Sequence, residues 1–351
     1  MKVTSSIRTQ RKDSPMSDGK EHRTMNAKID RRRIFIFIAI AYGISIALGL
    51  VIFSNGGLST GDGIGLLPRA AALMAVMMFA PTVANVATRL ITREGWSNML
   101  LWPKLRRGWP FYLAGLILPA VATIVGGAIY YLLFPSRFDP SMAYALDELG
   151  IVLIAEFANP WAFLITTSAY NILASMTAVP LMLGEEFGWR AYLLPKLMPL
   201  GGRKAVLLVG AIWAVWHWPA IFMGYEYGFE YWGAPVVGPL LFVVICFFFS
   251  AFLAWLTLRS GSVWPAAFGH GVINASLILM VYFISGAPDL LIGPMPVGII
   301  GSLGYAVLAL AVFMSPRALA QPAPAPVAMA ASGNPGALEK ASDRAKLGIA
   351  S

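Results

Sequence analysis

Three short segments of this sequence place side chains that can perform acid–base chemistry inside otherwise apolar stretches. Carboxylates and imidazoles can take a proton from water, and amides and imidazoles can donate hydrogen bonds to a developing oxyanion. Ionisable groups in apolar segments are costly, and they therefore indicate a functional site unless they only pair with one another. The segments are Glu185-Glu186-Phe-Gly-Trp-Arg190, Trp213-Ala-Val-Trp-His217 and His270-Gly-Val-Ile-Asn274.

The first segment contains two adjacent carboxylates whose predicted roles differ. Neighbouring residues on an α-helix point about 100° apart, so Glu185 and Glu186 lie on different helix faces. Arg190 follows Glu186 at i, i+4 spacing, which favours an ion pair between them. Glu185 has no such local cation. We therefore expect Glu185 to act as a general base or acid, and Arg190 to have a structural role.

The other two segments each hold one histidine. His270 and Asn274 are at i, i+4 spacing and project from one helix face, so they could hold a water or an oxyanion at a common point. Trp213 precedes His217 by one helical turn and can pack against its ring. A lone histidine in a membrane more often packs against or bonds to a neighbouring helix. The conjunction of all three segments favours a catalytic interpretation.

The composition places these segments in a membrane protein. The chain has 351 residues, of which 58% are hydrophobic and 12% are charged, whereas soluble domains contain about 25% charged residues. The net charge of +9 is uneven, because ten of the 26 lysines and arginines lie in the first 33 residues. Such clusters set membrane orientation, so we expect no nucleic-acid partner. The single cysteine, Cys246, excludes an intramolecular disulfide.

Eight apolar stretches reach the ~20 residues that a membrane-spanning helix requires. Basic loops alternate with loops poor in Lys and Arg, which predicts that both termini are cytoplasmic. We expect an all-α, polytopic transmembrane helix bundle, with its pocket among helices four, five and seven and toward their cytoplasmic half. The predicted spans are about 34–53, 69–92, 109–134, 161–184, 204–223, 235–258, 263–285 and 292–314.

The same pattern divides the chain into four parts. Residues 1–33 form a basic cytoplasmic tail, and 34–160 comprise the first three spans with a long connection, in which 142–157 could form an interfacial helix. Residues 161–315 form the core that carries the three segments. Residues 316–351 are rich in Pro and Ala and then polar, so we expect a disordered tail. We expect an integral, multi-pass protein of a bacterial plasma membrane.

The order of the three segments resembles the CPBP family of intramembrane proteases. This family comprises the CAAX prenyl endopeptidases and the bacteriocin-processing, Abi-like proteins of bacteria. Its pattern is Glu-Glu-x-x-x-Arg, then aromatic-x-x-x-His, then His-x-x-x-Asn, each on its own membrane helix. The resemblance covers about 180–285 within a similar region of 160–315, and Trp213 stands where the family commonly has Phe.

The resemblance implies an intramembrane endopeptidase that cleaves a membrane-anchored peptide or protein, such as a prenylated CAAX type, near the cytoplasmic leaflet. Its partners would be that substrate and the lipid bilayer. The implied catalytic residues are Glu185, Glu186, His217, His270 and Asn274. Glu185 would activate water with help from His217, and His270 and Asn274 would hold the water or the oxyanion. Two His and two Glu could ligate one Zn²⁺ with an open position. The same residues also suffice for water activation without a metal.

Two other functions fit the same residues. A non-catalytic scaffold, or an immunity or modulator protein, could use the polar pocket to bind a partner. A small-solute transporter would also use intramembrane His and Glu, although the sequence lacks the paired broken helices of an inverted repeat. A Glu185→Gln change separates these functions from a peptidase, because it preserves shape and removes the base.

Overall fold

The computed structural model describes residues 29–58, 66–150 and 159–320. All regular secondary structure within these ranges is helical, which confirms the predicted all-α fold. The α-helices are α1 (Arg31–Ser54), α2 (Pro68–Met77), α3 (Ala80–Thr92), α4 (Leu105–Leu133), α5 (Ala143–Asp147), α6 (Pro160–Gly188), α7 (Leu194–Leu197), α8 (Gly202–Ile221), α9 (Val237–Ser260), α10 (Trp264–Ala275) and α11 (Leu303–Met314).

Some sequence predictions concern regions that lie partly outside the described residues. Of the predicted interfacial helix over 142–157, only the five-residue helix α5 is described, and residues 151–157 lie outside the described ranges. The predictions for the two terminal tails likewise concern mainly 1–28 and 321–351, outside the described ranges. They stay predictions.

Six helical segments among the described residues are long and apolar enough to cross a bilayer, and they correspond to the first six predicted spans. They are α1, the α2–α3 pair, α4, the continuous stretch from α6 to Leu200, α8 and α9. A break between α2 and α3 is followed by Pro81 in the first turn of α3, where a missing N–H costs no helical hydrogen bond.

The predicted count of eight spanning helices is not reproduced as uninterrupted helices. The seventh and eighth stretches form α10 and α11, which have 12 residues each, or roughly 18 Å at 1.5 Å per residue. Turns and a short 3-10 helix connect them over 276–302. Most of residues 291–298 are buried in the protein, and irregular backbone at membrane depth is tolerated under that condition.

Close helix packing in the second half of the bundle depends on small residues. Gly126 on α4 lies against the backbone of Gly301, and Gly304 at the start of α11 lies against the backbone of Ala122. A methyl group at either glycine would overlap that backbone. Small residues let helices approach in this way where lipid removes the hydrophobic driving force for association.

The two ends of the bundle differ in charge. We call basic face the end with the α3–α4, α7–α8 and α9–α10 connections, and acidic face the end with the α1–α2, α4–α6, α8–α9 and α10–α11 connections. At the basic face Glu94 contacts both Arg33 and Lys196, which joins α1, α3 and α7. Among the described residues, the charged side chains are Asp30, Arg31, Arg32, Arg33, Arg93, Glu94, Lys104, Arg106, Arg107, Lys196, Arg203, Lys204, Arg259 and Arg317 at the basic face, and Arg69, Arg137, Asp139, Asp147, Glu148, Glu226, Glu230 and Asp289 at the acidic face.

Candidate active site

Helix α6 carries Glu185 and Glu186 into the protein interior. Gly184 and Gly188 flank the pair, and their lack of side chains allows α6 to pack closely against the α2–α3 junction. Glu185 is 3% exposed and Glu186 is 0% exposed. A buried π-helical turn, Trp189–Leu193, follows directly, and such turns are frequent at functional sites. The pair is therefore part of the bundle interior and not a charge cluster at the membrane surface.

Glu186 connects two of the predicted segments. Its Oε1 atom accepts hydrogen bonds from Arg190 Nη1 at 2.8 Å and from His270 Nδ1 at 2.9 Å. Arg190 is fully buried as well. A carboxylate beside a guanidinium accepts and does not donate, so Nδ1 of His270 carries a proton. Glu186 therefore fixes the tautomer and orientation of His270 and leaves Nε2 of that ring for other partners.

Trp213 holds the other carboxylate. Its indole Nε1 donates a hydrogen bond of 2.7 Å to Glu185 Oε2, and its ring lies 4.2 Å from the guanidinium carbon of Arg190. The sequence predicted only that Glu185 has no cation within its own helical turn; the structure adds a neutral donor from α8 that reaches Oε2 across the bundle. The Oε1 atom is the one that remains for a ligand.

His217 is oriented by its own helix and by aromatic rings. Its Nδ1 lies 2.8 Å from the carbonyl oxygen of Trp213, and because a carbonyl only accepts, Nδ1 carries the proton. The imidazole makes edge contacts with Trp213 at 5.7 Å, Trp216 at 4.8 Å and Phe242 at 5.0 Å between ring centroids. The predicted packing of Trp213 on His217 is thus present, and Nε2 is again the nitrogen left for a ligand.

Asn274 is the most open member of the group. It is exposed, one turn after the buried His270, and its Nδ2 donates to the sulfur of Met182 at 3.5 Å. A contact to a thioether is weak, so the amide is available to a better acceptor. Asn274 and His270 project from one face of α10, as their spacing predicted.

One cavity of about 230 Å³ brings these groups together. Glu185 of α6, Trp213 and His217 of α8, and His270 and Asn274 of α10 all line it. Glu186 and Arg190 are not among the lining residues, since they lie behind this surface. The structure therefore separates the predicted site residues into a group that contacts the cavity and a pair that supports it.

The cavity also contains a residue that sequence reasoning treated only as a loop charge. Glu226, in the α8–α9 connection, lines the cavity together with Tyr225. Burial away from water raises the pKa of Glu226 to about 7. Nothing in the sequence around Glu226 indicated this position, because the contact depends on how the connection folds over the cavity. The hydrogen bond from Trp213 to Glu185 was missed for a similar reason.

The sequence left open whether the two histidines and two glutamates of the site bind a metal ion. The described residues contain no group of three or more His, Cys, Asp or Glu side chains arranged to hold a metal ion. Of the four predicted ligands, Glu186 binds Arg190 and His270 through Oε1 and does not line the cavity. The predicted Zn²⁺ arrangement of two His and two Glu does not fit these contacts, and we derive no step through a metal.

The fold and the site define the class of protein: a polytopic helical membrane protein with acid–base side chains around a small internal cavity. Residues 165–276, which include all the predicted site residues, match the family described as type II CAAX prenyl endopeptidase, Rce1-like. The predicted resemblance to the CAAX prenyl endopeptidases is confirmed, because this part of the chain is similar to the Rce1-like family and to a curated CAAX prenyl protease.

A curated relative supports the same family. The protein named CAAX prenyl protease 2, from Methanococcus maripaludis, is 30% identical over 154 residues. The aligned part covers 43% of this chain and 55% of the relative, so the chain matches about half the length of that protein.

Proposed function

We propose that this protein is an intramembrane endopeptidase that hydrolyses a peptide bond of a membrane-associated peptide or protein. One observation carries the proposal: Glu185, oriented by Trp213, lines the same small cavity as two oriented imidazoles and an exposed amide. The family of residues 165–276 supports it independently. A peptide bond needs an activated water, a stabilised oxyanion and a proton for the leaving amine, and this group can supply all three.

Glu185 is the proposed general base. Its Oε1 accepts a proton from water while the water oxygen attacks the carbonyl carbon of the substrate, and this forms a tetrahedral oxyanion. The protonated carboxyl group then gives that proton to the amide nitrogen as the carbon–nitrogen bond breaks. The indole of Trp213 holds Oε2 throughout, so the carboxyl group keeps one orientation in both steps.

The tautomers of the two histidines refine their proposed roles. A neutral imidazole with a proton on Nδ1 presents only a lone pair at Nε2. With these tautomers, Nε2 of each histidine is an acceptor toward the cavity, and we assign one of these two nitrogens to accept the second hydrogen of the attacking water, because Glu185 takes the first. Asn274 is the neutral donor of the group, and its amide N–H stabilises the oxyanion.

Glu186 and Arg190 are proposed as positioning residues and not as catalytic ones. They contact His270 and the ring of Trp213, respectively, and neither lines the cavity. This assignment moves Glu186 out of the catalytic group that the sequence suggested.

The substrate class follows from the lipid setting and from the relative. A cavity within a helix bundle admits a peptide that is already anchored in the membrane. The relative is named for CAAX prenyl substrates, so a farnesylated peptide ending in a CAAX sequence is the first probe. A peptide attached to a transmembrane helix is the second, because lipid anchoring and membrane insertion bring a peptide to the same depth.

The experiment uses purified protein in lipid nanodiscs with both probes, and mass spectrometry identifies the cleavage products. Wild type is compared with Glu185→Gln and His270→Ala, each with and without a chelator. Glu230→Gln is the matched control, because Glu230 is an exposed carboxylate in the α8–α9 connection.

We expect cleavage by wild type and by the control, and a loss of about 10²–10⁴-fold in Glu185→Gln. Equal cleavage by wild type and Glu185→Gln would remove the peptidase proposal and favour a scaffold that uses the same pocket. Loss of cleavage with chelator alone would instead indicate that a metal takes part.

A further inference from the structure

A second cavity, of about 680 Å³, lies at the basic face. The α3–α4 connection forms most of its wall, and the wall is completed by the end of α9 and the start of α10. Its lining consists of residues 96–104, Gly261 and Trp264. None of these residues lines the candidate active site, so this cavity is a separate feature of the molecule.

The α3–α4 connection is fixed against its neighbours through its backbone carbonyl groups. The carbonyl oxygens of Leu100, Leu101 and Pro103 accept hydrogen bonds of 2.9, 2.7 and 2.7 Å, respectively. The donors belong to α4, to α10 and to the connection before α10. These bonds hold the wall in place and occupy three of its acceptors.

The side chains left in the cavity are mainly hydrogen-bond donors. The indoles of Trp96 and Trp102 are 45% and 81% exposed, and neither N–H has a protein acceptor within the described ranges. Ser97 and Asn98 are exposed beside them, and Lys104 supplies a cation. No Asp or Glu is among the described lining residues. A cation with neutral donors and no carboxylate favours an anionic ligand.

The positive charge beside the cavity is not compensated by protein groups. Arg106 and Arg107 follow Lys104 in the first turn of α4, and this turn contains no acidic residue. Within the described ranges none of these three cations forms an ion pair, whereas Glu94 on the same face contacts two cations. An anion in the cavity therefore reduces repulsion among cations and displaces no carboxylate.

An exposed apolar stripe leads from the cavity along α4, and it indicates that the anion is part of a lipid. Its members recur every four residues, begin directly after Lys104, and form one of the side-chain rows of a helix surface. They are Leu105, Trp109, Leu113, Ile117, Val121 and Val125. A soluble phosphate compound has no use for such a stripe, whereas an acyl chain can lie along it.

We propose that this cavity binds the headgroup of an anionic phospholipid, with Lys104 and the indole N–H groups of Trp96 and Trp102 on its phosphate oxygens. Basic pockets between membrane helices are suited to such headgroups. The bound lipid joins the α3–α4 connection to Trp264, the first residue of α10. Binding does not depend on the proposed peptidase function.

The test titrates delipidated, purified full-length protein in detergent with dioleoylphosphatidylglycerol, and native mass spectrometry counts the bound lipids. Dioleoylphosphatidylcholine is the comparison, because it has the same phosphate group but no net charge. Glycerol phosphate, added as a competitor, tests whether a soluble phosphate compound is sufficient. The variants are Lys104→Gln and Trp102→Ala. Lys204→Gln is the matched control, since Lys204 is an exposed lysine of the same face that does not line the cavity.

We expect wild type and Lys204→Gln to bind phosphatidylglycerol in preference to phosphatidylcholine. Lys104→Gln should bind it about tenfold more weakly, because a hydrogen bond to a charged group is lost, and Trp102→Ala should show a smaller loss. Both side chains are exposed, so lipid-free thermal midpoints should match wild type and exclude unfolding as the cause.

Two results overturn the anionic site: equal binding of the two phospholipids by wild type, or equal binding of phosphatidylglycerol by Lys104→Gln and Lys204→Gln. Displacement of phosphatidylglycerol by an equal concentration of glycerol phosphate overturns the assignment to a lipid. None of these measurements requires catalysis, so an inactive enzyme and an absent lipid site give different results.

Discussion

The candidate site has a closed side and an open side, and one of two adjacent glutamates lies on each. On the closed side, Glu186 is fully buried and accepts hydrogen bonds from Arg190 and His270. On the open side, Glu185 binds one indole N–H of Trp213 through Oε2 and lines the cavity. The two carboxylates are neighbours in sequence, but they point in different directions from α6. Each therefore meets a different number of hydrogen-bond donors.

The different partners of Glu185 and Glu186 show that two identical side chains can have separate roles when they lie on different faces of one helix. A buried ion pair adds little net stability, because the desolvation of both charges offsets their attraction. Its value here is geometric, since the Glu186–Arg190 pair fixes the ring of His270 and supports the ring of Trp213. The open side keeps unsatisfied acceptors that a water and a substrate can use.

The largest effect should come from removing the base on the open side. In Glu185→Gln the amide oxygen can still accept the indole N–H of Trp213, so we expect an unchanged thermal midpoint and a loss of peptidase activity of about 10²–10⁴-fold. Cleavage of the farnesylated peptide and thermal unfolding in detergent measure the two quantities. A large fall in the midpoint would mean that Glu185 is structural, like its neighbour.

The opposite result is expected on the closed side. Glu186→Gln removes the partner of a buried guanidinium, and breaking such a pair costs about 3–5 kcal/mol of unfolding free energy. Thermal unfolding measures the loss, and Glu94→Gln is the control because its ion pair with Lys196 is partly exposed and worth about 0–1 kcal/mol. Equal midpoints for the two variants would contradict the description of a closed side.

The sequence predicted the contacts that lie within one helix better than those between helices. The i, i+4 spacing of Glu186 and Arg190 and the packing of Trp213 on His217 follow from helix geometry alone. The bond between Glu186 and His270 joins residues 84 positions apart, and periodicity contains no information about how α6 and α10 pack. The role of Glu186 in orienting His270 could therefore not be read from the sequence.

The predicted seventh and eighth spans show a second limit. Their apolar composition satisfied the length rule for a membrane helix, yet the chain forms turns over 276–302. Gly293, Pro294 and Pro296 lie in the predicted eighth span, and prolines remove helical hydrogen bonds. These three residues could have indicated that the chain is not helical at the start of the predicted eighth span. Burial within the bundle makes the irregular backbone possible, and hydropathy does not report burial against protein.

A smaller loss of peptidase activity should follow from a change at Trp213, which contacts Glu185 on the open side and Arg190 on the closed side. Trp213→Phe keeps an aromatic ring beside Arg190 but removes the donor to Glu185 Oε2. A hydrogen bond to a charged group contributes about 1.5–3 kcal/mol, so we expect activity to fall by roughly tenfold or more with little loss of stability. Trp218→Phe is the control, since its indole donates to a backbone carbonyl in α9, away from the site. Equal activities of the two variants would argue against a role for the indole in orienting the base.

The smallest effect concerns Glu226, which lines the cavity on the open side. Its pKa is raised to about 7 because burial penalises the charged form, so between about pH 4.5 and 7 the folded protein holds a proton that the unfolded chain has released. The stability of wild type should therefore fall as pH rises through this window. Glu226→Gln abolishes that loss.

Thermal unfolding midpoints at pH 5 and pH 8 measure the difference in stability between wild type and Glu226→Gln. The Gln variant should gain on the order of 1–2 kcal/mol relative to wild type at pH 8 and little at pH 5. Glu230→Gln, a change at an exposed carboxylate of the same connection, should follow wild type at both values. A Glu226→Gln profile parallel to that of wild type would mean that water reaches the Glu226 carboxyl group freely. The open side would then begin deeper in the cavity, at Glu185 itself.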